Sequence, residues 1–268
     1  MAIDKFKILV TSQKGGVGKS TIAANLAAYY AAKQQSVTLV DFDLHGSSSN
    51  WLKRAPAIGV AIQHIPLPLN SSNNSSLMEA RTHIRRASMS SEITIADLTW
   101  SDAIAGELLF QFDLIIIPTS TSEIELAATA SFIARHSWVF NSRTHVPPNL
   151  LITPTRIRTD QLHGNAFTQQ RFPVPFLLSP AILESQSARD AYECAYLKDL
   201  ADPCGQSFRE FGNAVIRCQA IHQTQILKLS DQSSQYTRHP AGGFSIRGSL
   251  NNYQNVLHNY RFHKKITY

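Results

Sequence analysis

The stretch Q-K-G-G-V-G-K-S-T at positions 13–21 constrains this chain most, because of what flanks it. An apolar run of strand type, 6–11, leads in, and 19–33 follows with Ala, Leu and Tyr recurring at helical spacing. A glycine-rich loop between a strand and a helix lets successive backbone N–H groups turn inward toward an anion, and the helix start adds partial positive charge. Strand, phosphate-type loop and helix together form a building block of α/β proteins with parallel sheets.

The alternation continues. Segments 36–41 (S-V-T-L-V-D), 92–97 (E-I-T-I-A-D), 112–118 (F-D-L-I-I-I-P) and 149–153, after Pro147 and Pro148, read as strands. Their continuous β-branched character suits burial on both faces. Helical stretches near 47–54, 75–88 and 123–140 separate them. The expected fold is α/β, a mostly parallel twisted sheet flanked by helices, with working loops at the carboxyl ends of the strands. Asp41, Asp43 and Asp97 all fall at that edge. Residues 66–76 (P-L-P-L-N-S-S-N-N-S-S) read as a surface loop. From about Gln223 the apolar periodicity fades, so the chain divides into a domain over 1–222 and a polar, basic, flexible tail over 223–268.

Within the loop, Lys19 is expected at the β and γ phosphates of a nucleotide and the Ser20 hydroxyl on Mg²⁺. Gly15, Gly16, Val17, Gly18 and Thr21 complete the cradle. Gln13 stands where the strict pattern G-x-x-x-x-G-K-[ST] has its first glycine. The remainder, K-G-G-V-G-K-S-T, resembles the deviant Walker A box of the ParA/MinD family, over roughly residues 6–220. That resemblance implies ATP and Mg²⁺ as cofactors, ATP hydrolysis, and a homodimer in which Lys14 crosses to the partner's nucleotide.

The family likeness assigns further roles. L-V-D-F-D at 39–43 looks like the box V-D-x-D-P-Q, which makes Asp43 the carboxylate that positions the attacking water and Asp41 a holder of the magnesium shell or of the loop. Leu44 and His45 replace Pro and Gln. Asp97 resembles the Walker B aspartate on a magnesium-bound water, but D-L-T-W at 97–100 replaces D-x-P-P or D-x-x-G. Adenine contacts are implied at T-P-T-R, 153–156, chiefly Thr153 and Pro154, with a second loop near Ser179 and Pro180.

Partners follow from charge and from the same likeness. The net charge of +6 favours an acidic partner. In a ParA-type reading the ATP dimer binds DNA without sequence preference, with Arg189, Lys198, Arg209 and Arg217 as the implied contacts, until a cargo adaptor or ParB-like activator stimulates hydrolysis. A MinD-like membrane switch is the alternative, through 253–265. The phosphate loop begins so early that no operator-reading domain is expected upstream. No apolar signal region precedes the first strand, so a cytoplasmic protein is expected. Cys194, Cys204 and Cys218 lack C-x-x-C spacing, which predicts reduced structural thiols and disfavours metal-handling relatives with paired cysteines.

Overall fold

Strand and helix segments alternate into one seven-stranded sheet in the computed structural model of the protein, which describes residues 5–67, 73–162 and 166–236. The strands are β1 (Phe6–Ser12), β2 (Val37–Asp41), β3 (Ala61–His64), β4 (Ile93–Thr99), β5 (Leu114–Thr119), β6 (Asn149–Pro154) and β7 (Leu177–Leu178). They lie in the order β3-β2-β4-β1-β5-β6-β7, and every pairing is parallel. Parallel neighbours need crossover connections, several of which are supplied by α1 (Lys19–Ala31), α2 (Ser47–Arg54), α3 (Asn73–Ser90) and α4 (Glu123–Arg135). Three later helices are α5 (Ser137–Phe140), α6 (Gln186–Asp190) and α7 (Pro203–Tyr236).

Alternate residues of the strands feed two apolar layers. Leu9, Val40, Ala96, Leu98, Ile115, Ile117, Leu150 and Ile152 pack with Ala80, Ile84 and Ala87 of α3 and with Leu126, Phe132 and Ile133 of α4. On the other side of the sheet, α1 lies against β1 and β4. There Tyr29 of α1 meets Phe208 of α7 edge-on, with centroids 6.5 Å apart, and donates its hydroxyl to Asn213 Oδ1 at 2.8 Å. Burying each such large apolar side chain stabilises the fold by roughly 1.5–3 kcal/mol. Cover on both faces explains why the central strands carry little polar alternation.

The structure departs from the sequence reading at defined places. The edge strand β3 is short and partly exposed, and β7 spans two residues, so neither carries a readable apolar run. The stretch 123–140 is broken at His136, whose ring is buried with Nδ1 on the Phe132 carbonyl at 2.9 Å, where α4 ends. Asn73–Ser90 is helical, so 73–76 belong to α3 instead of a loop. Residues up to Gln223 form one compact unit. Beyond it, 224–236 continue the helix α7. The remaining tail, with the 253–265 segment, lies outside the described residues. Among the described residues no helix is long and apolar enough to cross a membrane.

Candidate functional site

Three strand ends converge on the loop at 13–18. β1 sits at the sheet centre with Val10 in register with Asp97 and Ser12 with Thr99, while Asp41 at the end of β2 pairs in register with Asp97. Gly18 has φ +92, a left-handed conformation that glycine adopts without strain, and it directly precedes α1. The Lys14 N–H donates to Ser12 Oγ at 3.1 Å, and Lys19 Nζ donates back to the Lys14 carbonyl at 3.3 Å. Lys19 is 6% exposed, whereas Lys14, Gly15 and Gly16 face solvent. A buried ammonium with one neutral carbonyl partner, beside a glycine loop at a helix start, is a candidate anion site.

The aspartates divide the remaining work. Asp41 is fully buried. Its Oδ2 accepts from Ser48 Oγ at 2.8 Å and the Ser49 N–H at 2.9 Å, and its Oδ1 accepts the Asp43 N–H at 3.1 Å. Of the two roles expected for it, the geometry is that of holding the loop. Asp97 is also fully buried, yet neither oxygen receives a hydrogen bond of good geometry. Burial, reinforced by the nearby Asp41 and Asp43 charges, pushes its carboxyl up to about 7, although the Ser20 and Ser48 hydroxyls lie close enough to pull the other way.

Such an orphaned carboxylate beside a serine hydroxyl is a set of hard oxygen donors, which fits Mg²⁺. Among the described residues no three His, Cys, Asp or Glu side chains could hold a metal by themselves. A cation here therefore needs additional oxygens from phosphate and water, as Mg²⁺ commonly does.

Asp43 and its loop carry the features that sequence reasoning missed. Its Oδ1 accepts the Thr99 N–H at 2.7 Å, its Oδ2 accepts the Thr99 hydroxyl at 2.8 Å, and its carbonyl bonds His64 Nε2 at 2.9 Å. Leu44, 76% exposed, and His45 project outward. Gly46 has φ +59, and a Cβ there would stand 2.8 Å from the His64 ring. Gly46→Ala should therefore lower stability by roughly 1–3 kcal/mol through left-handed strain and displacement of His64. Urea unfolding measures this, and an unchanged midpoint would show that the loop yields freely.

The other predicted contacts resolve unevenly. Thr153 is buried at the end of β6 with its hydroxyl unpartnered, and Pro154, also buried, closes that strand. The adjacent Thr155 instead grips the phosphate loop, its Oγ1 donating to the Val17 carbonyl at 3.0 Å. Beyond it, Arg156 and Glu125 pair at the rim of an open polar pocket of about 390 Å³ that Ser120, Arg158 and Gln161 also line. Inside α1, Asn25 bonds the Thr21 carbonyl and accepts the Leu197 N–H at 2.7 Å, fixing the helix that the loop opens.

The four expected DNA contacts have partners within the chain. Arg189 pairs with Glu184, Lys198 pairs with Asp199 at 2.7 Å, and Arg209 donates to the carbonyls of Lys198 and Leu200. Arg217 also has a partner. Cys204 and Cys218 are buried thiols that burial raises to about 11 and about 12, so they behave as apolar side chains; Cys194 is exposed and free.

Comparison with known proteins agrees with this arrangement. The family described as ParA, NUBPL iron-transfer P-loop NTPase, matches residues 4–89. The maintenance of carboxysome distribution protein A of Gloeobacter kilaueensis is 33% identical over 129 residues, 48% of this chain and 55% of that protein. The chain thus spans about half the length of that relative. Among solved structures, the ATP complex of a Cyanothece McdA variant superposes with a TM-score of 0.64 at 17% identity, over 79% of this chain and 96% of that one. The septum site-determining protein MinD of Pyrococcus horikoshii, complexed with Mg-ADP, gives 0.59 at 16% identity over 81% and 98%. At these identities the structural likenesses establish the fold.

Proposed function

We propose that this chain, which belongs to the ParA/MinD family of P-loop ATPases, is a cytoplasmic positioning ATPase that binds Mg-ATP at 13–21, dimerises with ATP and uses hydrolysis to leave a DNA matrix. The observation that carries the reading is that a buried Lys19 with one neutral partner and an orphaned Asp97 carboxylate both lie at the same sheet edge. One group awaits an anion and the other a cation. Mg-nucleotide supplies both.

In this reading Lys19 and the loop N–H groups hold phosphate oxygens, and Ser20 and Asp97 orient the cation and its water. Bound Mg²⁺ supplies charge neutralisation on the phosphates. Asp43 orients the attacking water. Lys14, exposed at the loop, is free to reach a second subunit's nucleotide, so that turnover depends on dimerisation.

For the DNA matrix, α3 is a better candidate than the C-terminal cations. It carries Arg81, His83, Arg85 and Arg86, and the exposed Arg85 and Arg86 side chains have no ion pair or hydrogen bond among the described residues. A cargo adaptor or ParB-like activator completes the cycle. The relative named for carboxysome distribution makes a protein assembly one class of cargo.

Cosedimentation with plasmid DNA and with anionic liposomes, with and without ATP, tests this. The expected result is ATP-dependent DNA pelleting that weakens as salt rises, and that is lost in Lys14→Ala and in an Arg85→Glu, Arg86→Glu double variant. ATP-dependent liposome binding alone would replace DNA by membrane, and pelleting with neither would refute both matrices.

A further inference from the structure

Thr99 stands where the D-x-P-P pattern of the family has its first proline, and the structure gives that departure a use. Proline has no N–H and no hydroxyl. Thr99 supplies both, and both go to Asp43, at 2.7 Å from the N–H and 2.8 Å from Oγ1.

From this geometry we infer that Thr99 is the positioning residue for Asp43, fixing the plane and direction of the carboxylate that orients the attacking water. The inference rests on the ATPase reading above.

Both members of the pair are held from behind. Thr99 ends β4 in register with Ser12, and the next N–H, that of Trp100, donates to the Ser12 carbonyl at 3.1 Å. The Trp100 ring is buried edge-on against Phe132, centroids 5.5 Å apart, and His136, 5.1 Å apart. The donor therefore sits on a rigid strand end that is anchored in the core. Asp43 lies in a loop with exposed neighbours, but its N–H is tied to Asp41 and its carbonyl to His64.

Two hydrogen bonds, one to each carboxylate oxygen, remove rotation about the Asp43 side chain. Each oxygen keeps a second lone pair for a water. A loop carboxylate thereby acquires the precision of a strand-borne group, which is what positioning catalysis requires. Relatives with proline at this place need another way to orient their aspartate, so the replacement of proline by threonine is not neutral.

The test compares Thr99→Val, which keeps size and the N–H but loses the hydroxyl, with Thr99→Ser, which keeps both donors. Steady-state ATP turnover with plasmid DNA should show kcat lowered about tenfold in Thr99→Val at nearly unchanged KM for ATP, with Thr99→Ser close to wild type. In the nucleotide-free protein, hydrogen–deuterium exchange of the 42–46 segment should quicken in Thr99→Val and not in Thr99→Ser. Turnover in Thr99→Val at or above wild type, or equal loss in both variants, overturns the inference. A wild-type protein that hydrolyses no ATP sinks the ATPase reading and this inference with it. The exchange result then reports separately whether Thr99 ties Asp43 in place.

Discussion

Asp97→Asn should stabilise the nucleotide-free protein at pH 8 by about 2 kcal/mol while reducing Mg-dependent ATP turnover at least a hundredfold. The two effects have one cause. The Asp97 carboxyl titrates at about 7 in the folded protein instead of 3.8, because it is buried beside two other carboxylates. The folded state thus keeps a proton that the unfolded chain has already released, so this group's contribution to stability falls as pH rises from about 4 to about 7. Above that window its full penalty is present. The difference corresponds to about 4 kcal/mol at 1.36 kcal/mol per pK unit. Half of this is a reasonable gain for an amide that must find its own buried partners. Below pH 4 the variant's advantage should vanish, since both states of the wild type are then protonated. Urea unfolding in EDTA at pH 5 and pH 8 checks the trend, and an advantage equal at both pH values would exclude the buried charge as its cause.

Lys19→Ala should weaken ATP binding by a hundredfold or more, about 3 kcal/mol, without lowering the stability of the nucleotide-free protein. Lys19 Nζ reaches one neutral carbonyl, that of Lys14 at 3.3 Å, and the residue is almost fully buried. Without an anion it is a desolvated charge with little return, so its loss should leave the fold as stable or more so. With ATP it becomes the partner of the phosphates. Calorimetric titration of ATP and thermal unfolding, run on the same variant, separate the two terms. Wild-type affinity in Lys19→Ala would remove the loop at 13–18 from the binding site.

Much of this was legible in the sequence, and the boundary of legibility has physical reasons. The buried strands announce themselves because a parallel sheet covered on both faces tolerates unbroken runs such as L-I-I-I. The phosphate loop is equally plain, since only glycine-rich backbone followed by Lys-Ser-Thr at a helix start makes that cradle. β3 escaped notice because an edge strand of A-I-Q-H is partly exposed and has no apolar signature. The break at His136 depends on a ring seated against Trp100, a contact between residues far apart in sequence.

The same limit applies to the site. Asp41, Asp43 and Asp97 were found from strand ends, yet which of them is satisfied and which is orphaned depends on Ser48, Ser49 and Thr99. The basic residues of the C-terminal half follow from the family likeness, which carries no information on their partners. Their engagement with Glu184, Asp199 and the carbonyls of Lys198 and Leu200 is local, and it depends on the conformation of the 184–209 segment.

The position of β1 has a consequence for how the protein comes into being. Its phosphate loop precedes its partners in the chain: its strand is flanked by β4 and β5, which end at Thr99 and Thr119, and its Val17 carbonyl bonds Thr155. The loop of the nucleotide cradle is thus made before the strands and the threonine that complete it. Until β4 and β5 are made the glycine loop has no sheet neighbours to stand on, and pairings this distant in sequence form slowly. A nascent chain shorter than about Thr155 is therefore a polypeptide that carries the motif without the site.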